Sequence, residues 1–416
     1  MLSAEIRDSI LEALEVARPS AALAVLQQLL AEHLQATDVH LLMANYQLTA
    51  LHPIHDQDNS AELSTTPAGI AFVSQHPVIG EVQDHAVEVN LPMSTRGDRM
   101  GVLQLSLPQR PDPTELDELT RLAQTVALSL RASSRQTDAL ERSGRTQRLT
   151  LAAELQWQLL PGRGCRAPEY DIAGHLEPAY HVHADAFDWS QDDDHLTLTL
   201  IDGSNGGRVH ALLSTLTLTA LRNARRAGLS IADQALLAGQ AVYAHHQGDQ
   251  SVSGLLFRIC LSTGLADVVL AGSPRMLILR QGQVYEPRLT EQVPMGMFEG
   301  NDYVEQQLAL ARGDRVVMVS DGVHGARSAN SDRFGDIRLA DLVSATAEEL
   351  AGRVVRRIVD VLYEHRGDDD LDDDAVVLCL DWTGPDNPIA PTGSAALEES
   401  FELHAWRPRL RAVTSR

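Results

Sequence analysis

Aspartates stand where several predicted strands meet turns, and carboxylates in such positions are able to share one site. Asp202 ends the apolar run LTLTLI and is followed by GSNGG, and Asp321 ends the run RVVMVS. Asp372 and Asp373 come directly before AVVLCL, and Asp185 lies in ADAFDW, shortly before the first of these runs. Side chains at the ends of separate strands converge where the strands share an edge. The pattern therefore predicts a cluster of carboxylates.

Such a cluster favours hard divalent cations. Carboxylates without Cys or paired His ligands suit Mg²⁺ or Mn²⁺ better than Zn²⁺. Two such ions activate a water molecule and clamp a phosphoryl group for in-line attack. Gly203, after Asp202, permits a close backbone approach, so its carbonyl is a further candidate ligand. Each aspartate taken alone is better explained as a turn residue, because Asp is common in turns.

Composition limits the classes of function. The 416 residues are 44% hydrophobic and 22% charged, which indicates a globular protein of two or three domains. The net charge of −23 argues against a nucleic-acid surface. Cys165, Cys260 and Cys379 are far apart, which excludes a disulfide framework and fits a reducing compartment. No run has the length of a membrane helix, and the N-terminus lacks the basic start of a signal peptide. We therefore expect a cytoplasmic protein with no nucleic-acid or membrane partner.

The first hundred residues alternate between helical and strand-like patterns. Residues 5–34 have leucines at helical spacing and predict two helices. Strand-like runs follow at 39–44, 68–73, 86–93 and 101–107. Helices beside short antiparallel strands predict an α+β domain over residues 1–108. AGIAFVSQ and the Gly-x-Leu-x-Leu run in GVLQLSL resemble a GAF domain, which implies a sensor that binds a small ligand or mediates dimerisation.

A seven-residue repeat runs through residues 109–163. Its positions are Leu116, Ala123, Leu130, Thr137, Gly144 and Leu151. A seam of this length predicts a long connecting helix over residues 114–160 that pairs as a parallel coiled coil and joins two protomers into a homodimer. The alternative is a single linker helix packed on its own domain.

After Pro161, strand-like runs alternate with helical segments. The strand-like runs are 196–202, 254–261, 266–272, 276–280, 315–322 and 375–382, and the helical segments are 210–227, 231–246 and 339–365. Many strands with few helices, out of βαβ order, favour an α/β/β/α sandwich over residues 164–382. Residues 383–416 are rich in Pro, Gly and Ser at their start, which predicts a disordered tail.

The motifs of this half resemble those of the PPM (type 2C) metal-dependent protein phosphatases of the bacterial SpoIIE/RsbU kind. The family lead-in A-x-x-x-Q-x-x-L-L-P is matched by AAELQWQLLP, which ends at Pro161. The segment P-A-x-x-V-G-G-D-F-Y-D is matched by PAYHVHADAFDW, with Asp185 and Asp188 at the acidic positions, and D-V-S-G-H-G by DGSNGG. Later matches, in the family order, are AGSPR from Ala271, Pro294-Met295-Gly296, GDRVVMVSDG, and DDDAVV from Asp372.

The resemblance implies a complete ligand set for two Mn²⁺ or Mg²⁺ ions. The implied metal ligands are Asp185, Asp202, Asp321 and Asp372, with Asp202 bridging the ions and Gly203 contributing its carbonyl. Asp202 and Asp185 would be the catalytic residues. The sequence departs from the family where His183-Ala184 replaces Gly-Gly and where Asn205-Gly206 replaces Gly-His. These departures put the loop geometry and the turnover in doubt.

The sequence thus predicts a metal-dependent phosphatase that hydrolyses phosphoserine and phosphothreonine in a protein without a covalent intermediate, since no Cys lies in a phosphate-binding loop. The resemblance implies that the substrate is a phosphorylated STAS-domain anti-sigma-factor antagonist in a partner-switching pathway. Two alternatives stay open. One is a catalytically weak or inactive phosphatase-fold signalling module regulated through the N-terminal sensor domain, and the other is a protein that acts mainly as a ligand sensor.

Overall fold

The computed structural model describes residues 4–18, 21–54, 59–83, 86–178, 184–203, 208–367 and 371–385. The chain divides into two compact units, Met1–Arg148 and Leu149–Arg416. The division falls inside the segment predicted as a linker. Most of the predicted tail, residues 386–416, lies outside the described residues.

The first unit combines helices with one antiparallel sheet. Its helices are α1 Ala4–Val16, α2 Ala22–Leu34, α3 Pro67–Ser74, α4 Pro113–Ser133 and α5 Ala139–Ser143. Its strands are β1 Thr37–Ala44, β2 Ala50–Pro53, β3 Ala61–Glu62, β4 Val78–Gln83, β5 Ala86–Thr95 and β6 Asp98–Leu107, in the order β3-β2-β1-β6-β5-β4. This content agrees with the predicted α+β class, and the GAF resemblance stays a prediction.

Strand alternation gives the sheet of the first unit two buried faces. Leu41 and Leu103 pack with α1, α2 and α4 in one core, while Leu42 and Val102 pack with α3 in the other. Both faces are covered because successive side chains of β1 and β6 point in opposite directions.

The strand predicted for residues 68–73 is wrong, because these residues belong to α3. Thr66 accepts a hydrogen bond from the backbone N–H of Gly69, and Pro67 occupies the first turn, so the segment has both helix-start signals. Ala68, Ala71 and Phe72 then recur at helical spacing and are buried.

The continuous helix predicted for residues 114–160 is also wrong. It is divided into α4, a 3₁₀ turn at Ser134–Gln136, α5, and a later helix that begins at Leu151. The seam residues Ala123 and Leu130 are buried in the core of the first unit, next to α1 and α2. These two seam positions are thus covered within their own chain, as the alternative of a helix packed on its own domain requires. The homodimer stays a prediction.

The second unit has two sheets and several helices. The helices are α6 Leu151–Leu159, α7 Arg208–Arg226, α8 Ile231–His246, α9 Asp321–His324, α10 Phe334–Ile337, α11 Leu339–Ala345 and α12 Ala351–Arg366. The strands are β7 Gly164–Ala167, β8 Tyr170–Glu177, β9 Ala186–Gln191, β10 His195–Gly203, β11 Val252–Cys260, β12 Leu265–Ala271, β13 Arg275–Arg280, β14 Gln283–Tyr285, β15 Gln306–Ala309, β16 Asp314–Val319 and β17 Ala375–Trp382.

These elements form four layers. One antiparallel sheet has the order β15-β12-β11-β10-β9, and α7 and α8 pack on it. The other has the order β14-β13-β16-β17-β8-β7, and α11 and α12 pack on it. The sheets meet face to face where Gly174 of β8 lies against the ring of Phe187 of β9. The layers follow the predicted α/β/β/α order, although the helix predicted for 339–365 is divided into α11 and α12.

Within the part of the chain that the structure describes, no helix combines the length and the apolar character that crossing a membrane requires.

Candidate active site

Asp185 and Asp202 lie side by side at one end of the β9–β10 pair. Ile201 pairs with Ala186 in the antiparallel register, so the next residues, Asp202 and Asp185, meet at the strand ends. The backbone N–H of Gly203 donates to Oδ1 of Asp185 at 3.1 Å. Both carboxylates are buried, at 1% and 3% exposure. The structure therefore brings the two predicted catalytic residues together.

Asp202 also connects the two sheets. Its Oδ2 accepts a hydrogen bond from the backbone N–H of Asp321 at 3.0 Å and another from the hydroxyl of Ser273 at 2.9 Å. Asp321 is the first residue of α9, directly after β16 of the second sheet. Ser273 lies between β12 and β13. Asp202 thus holds the start of α9 against the end of β10.

The fourth member of the cluster is Asp374 and not Asp372. Oδ2 of Asp374 accepts hydrogen bonds from the backbone N–H groups of Ala184 and Asp185 at 2.8 and 3.1 Å. Asp372 instead points to solvent, with its side chain 81% exposed, and pairs with Arg366 at 2.5 Å. The structure therefore does not bring Asp372 together with the other predicted ligands, and the buried carboxylate in the segment before β17 is that of Asp374.

Two glycines allow this close packing. A Cβ on Gly322 would overlap the carbonyl oxygen of Asp374, and a Cβ on Gly203 would overlap the side chain of Ala184. Neither glycine has the positive φ that strains other residues. Their role is therefore to let the segments that carry the aspartates approach one another.

The carboxylates raise one another's pKa. Burial, followed by the charges of Asp202 and Asp374, raises the pKa of Asp185 well above its usual value. Burial and the charge of Asp321 raise the pKa of Asp202 to about 7. Burial also raises the pKa of Asp321. Confined like charges of this kind are stabilised by a nearby cation.

The donor set fits a hard divalent cation. All of the clustered side-chain donors are carboxylate oxygens, the ligand type that Mg²⁺ and Mn²⁺ prefer. Oδ2 of Asp185 and Oδ1 of Asp321 are buried without a hydrogen-bond partner among the described residues. Across those same residues, no three His, Cys, Asp or Glu side chains stand in a preformed metal-binding group. The fit therefore rests on the chemistry and burial of the carboxylates.

Helix α6 supports the cluster from the side. The buried amide of Gln156 donates to the carbonyl oxygen of Asp185 at 2.6 Å, and the hydroxyl of Ser214 on α7 donates to the carbonyl oxygen of Ala184. Gln156 lies in the AAELQWQLLP motif, so the sequence contained a signal for it. Its contact with Asp185 was not predicted.

His324 lies behind Asp202. Its Nε2–H donates to the carbonyl oxygen of Ser273 at 3.0 Å, and the Ser273 hydroxyl in turn donates to Asp202. Burial lowers the pKa of His324 to about 4, and nearby arginine charges act in the same direction, so the ring is neutral at pH 7. Neither His324 nor Ser273 was predicted as part of the site. Ser273 lies in the AGSPR match, which was the available signal.

Asp188, the second acidic position of its motif, has a structural role. Its buried carboxylate pairs with Arg222 at 2.7 Å and with Arg225 at 2.9 Å, both on α7. Arg222 also donates to the carbonyl oxygen of Leu159 at 2.5 Å, which satisfies the end of α6. Asp188 thus fixes α6 and α7 to β9.

Of the four residues named above that depart from the family pattern, one lies among the described residues. His183, Asn205 and Gly206 lie outside the described residues. Ala184 is described, and both its backbone N–H and its carbonyl are bonded within the site.

The second unit is similar in sequence to one known family. Residues 192–383 match the family model described as Stage II sporulation protein E (SpoIIE). The match includes Asp202, Asp321 and Asp374 and begins after Asp185. No curated protein matches the chain.

Solved structures with related folds are distant in sequence. The RsbU and RsbW domains of a Mycobacterium tuberculosis protein match with 20% identity and a TM-score of 0.47, over 52% of this chain and 61% of that one. The PP2C phosphatase domain of SpoIIE from Bacillus subtilis, with a fragment of its regulatory domain, matches with 14% identity and a TM-score of 0.42, over 75% and 82%. The catalytic domain of the serine threonine protein phosphatase PstP, in complex with two manganese ions, matches with 14% identity and a TM-score of 0.38, over 51% and 98%.

These structures are too distant to decide an activity, and this chain spans about three fifths of the Mycobacterium protein. The family match covers 192 of the 416 residues, and it makes the second unit similar to SpoIIE.

Proposed function

We propose that the second unit is a metal-dependent protein phosphatase that hydrolyses phosphoserine and phosphothreonine. The observation that carries the proposal is the cluster of four carboxylates, the buried Asp185, Asp202 and Asp374 and the half-buried Asp321, inside a unit similar to SpoIIE. Three of them have a raised pKa, so a divalent cation there would lower the free energy of the ionised site.

In this proposal the four aspartates would hold two Mn²⁺ or Mg²⁺ ions, and the Gly203 carbonyl is a further candidate ligand. Bound divalent ions supply an activated water and neutralise charge on the phosphoryl oxygens. The other residues of the chain hold the carboxylates in position. Asp202 is fixed by Ser273 and by the N–H of Asp321, and Asp185 is fixed by the N–H of Gly203. Fixed ligands cost little reorganisation during the reaction.

A cysteine-based mechanism does not fit the described residues. Cys379 is buried in the middle of β17, and burial raises the pKa of its thiol well above the usual value. Cys165 and Cys260 lie on β7 and β11, and neither contacts the four carboxylates. Hydrolysis by water without a covalent intermediate is the chemistry that remains.

For the substrate we propose a phosphorylated STAS-domain anti-sigma-factor antagonist in a partner-switching pathway. The support for this step is the resemblance of the motifs alone, because one fold can serve many substrates. We also propose that the first unit is a regulatory sensor for a small ligand, and here too the support is the resemblance of the motifs alone.

The alternative is a phosphatase-fold signalling module that binds its partner without turnover. The observation that favours it is that the described residues contain no preformed group of three metal-binding side chains. The buried, mutually repelling carboxylates argue for the enzyme.

The experiment that separates the two is a phosphatase assay on chelator-treated protein. We expect Mn²⁺ or Mg²⁺ to restore hydrolysis of p-nitrophenyl phosphate and of a phosphoserine protein, with titration calorimetry showing metal binding at the same concentrations. Absence of metal-stimulated hydrolysis on both substrates would leave the binding module.

A further inference from the structure

Two arginines flank His324 at the edge of the carboxylate cluster. His324 ends α9, the turn that begins with Asp321. Arg275 begins β13, where it pairs in register with Val319 just before that turn. Arg333 directly precedes α10. A Cβ on Gly335, two residues after Arg333, would lie 2.8 Å from Nη1 of Arg275 and 2.7 Å from Cβ of His324. Arg275 and His324 therefore lie together, and Arg333 is two residues before the glycine that is close to both.

Arg275 is held in place but not covered. Its Nε lies 3.3 Å from Glu286 and its Nη1 lies 3.4 Å from Asp336. Its side chain remains 33% exposed. Exposed ion pairs at such distances contribute little and leave the guanidinium able to bind another anion.

The charge of Arg333 is unpaired among the described residues. It is exposed, and its guanidinium forms no ion pair or hydrogen bond with any described residue. Its charge and that of Arg275 both act on His324.

Neither arginine touches the reacting centre. Among the described residues, no ion pair within 4.0 Å joins Arg275 or Arg333 to any of the four clustered carboxylates. The phosphate of a substrate would bind at those carboxylates, and the arginines stand beside α9, which begins with one of the four, Asp321. Arginine guanidinium groups bind carboxylates through paired hydrogen bonds.

We propose that Arg275 and Arg333 form a cationic subsite for acidic side chains that flank the phosphorylated residue of the substrate protein. This inference rests on the proposed function, because it takes the carboxylate cluster to be the place where the phosphorylated residue is bound.

The test uses three phosphoserine peptides that differ only in the residues beside the phosphoserine, which are Glu, Gln or Lys. Arg333→Gln is the main variant, because Arg333 holds no other residue in place. Arg312→Gln is the matched control. Arg312 is an exposed arginine before β16, and that six-residue strand separates it from the Asp321 end by roughly 20 Å. Binding is measured by fluorescence anisotropy with Mn²⁺ present, and hydrolysis by phosphate release.

We expect the wild type to bind the Glu peptide about threefold to tenfold more tightly than the Gln peptide, with the preference falling as salt is added. Arg333→Gln should remove most of this preference, Arg333→Glu should shift it toward the Lys peptide, and Arg312→Gln should keep it. An Arg333→Gln protein with the wild-type preference overturns the proposal, as does a wild type that binds all three peptides equally. Binding without hydrolysis in the wild type would reject the proposed phosphatase activity while still deciding the subsite.

Discussion

Asp372 and Asp374 are two residues apart before β17, yet their carboxylates have opposite surroundings. Asp374 is fully buried and accepts two backbone hydrogen bonds from the segment that carries Asp185. Asp372 pairs with Arg366 at the surface. The sequence placed an acidic run at this strand end, but a run of three aspartates does not show which one turns inward. Only the register of the chain before Ala375 determines that.

This contrast gives a prediction. Asp374→Asn should lower kcat/KM with Mn²⁺ by about a hundredfold or more, because a charged group at the reacting centre contributes several kcal/mol to the transition state. Asp372→Asn should stay within about threefold of the wild type, because it removes only an exposed ion pair. Steady-state kinetics on p-nitrophenyl phosphate measure both. The reverse order of effects would restore the sequence-based assignment.

Ser273 positions Asp202 through its hydroxyl. Ser273→Ala removes a hydrogen bond to a charged group, which is worth about 1.5–3 kcal/mol, and we expect kcat to fall about tenfold with a parallel loss of Mn²⁺ affinity. The control is Ser262→Ala, in the turn after β11. Titration calorimetry gives the affinity. Unchanged Mn²⁺ binding in Ser273→Ala would show that this hydroxyl does not orient a metal ligand.

At the scale of elements, sequence periodicity predicted the bounds of those strands and helices whose pattern depends only on their own residues. Helix α8 was predicted with its observed bounds, and β10, β12, β13 and β17 within one or two residues. The apolar segment at 68–73 was misread because small and branched residues fit a buried strand and a buried helix alike. The helix-start signals Thr66 and Pro67 were the better indicator.

The long connecting helix failed for another reason. A heptad repeat shows that one face of a helix is apolar, but it does not say what covers that face. Here α1, α2 and the sheet of the first unit cover it. Such contacts join residues about a hundred positions apart, as with Arg7 and Glu118 at 3.0 Å, and no local pattern records them.

Gly322 lets α9 pack against the segment before β17. Gly322→Ala should destabilise the second unit by about 3 kcal/mol, because the new Cβ meets a backbone carbonyl that cannot rotate away. It should also weaken Mn²⁺ binding, since Asp321 and Asp374 lie on the two segments that would separate. Gly282→Ala is the comparison. It has open space and a φ of +78°, so it should cost about 1–2 kcal/mol and leave Mn²⁺ binding intact. Equal Mn²⁺ affinity in the two variants would contradict this role of Gly322.

At the scale of the whole molecule, the buried carboxylates make stability depend on pH. Asp202 has a pKa of about 7 in the folded state against an ordinary value of 3.8, so between these pH values the folded state binds more protons. Its contribution is therefore present at low pH and is lost as pH rises toward the folded pKa.

We expect the Tm of the metal-free protein to fall between about pH 4 and about pH 7, and Mn²⁺ to raise it again at the upper end. Asp202→Asn should flatten the fall and reduce the effect of Mn²⁺. Scanning calorimetry in a chelating buffer measures the slopes. A variant with the wild-type slope would mean that Asp202 does not cause this dependence.

The site was predictable to the extent that it follows strand ends. Asp185, Asp202 and Asp321 were identified because each stands beside a strand and within a motif, and the structure brings them together. Ser273, His324 and Gln156 were not identified as part of the site, because their contacts with it join segments from different layers. A motif gives the positions of such residues along the chain, but it does not say which residues they contact.

The most direct test of a metal-dependent hydrolytic site at Asp202 is the Mn²⁺-dependent rate of Asp202→Asn, measured beside that of Asp192→Asn. Asp192 belongs to the neighbouring acidic run, its side chain is 60% exposed, and it bonds only within its own loop and to nearby basic side chains. We predict that Asp202→Asn loses about a hundredfold or more of the wild-type rate while Asp192→Asn retains it, with both proteins folded by circular dichroism. Comparable rates for the two folded variants would contradict a role of Asp202 in metal-dependent hydrolysis.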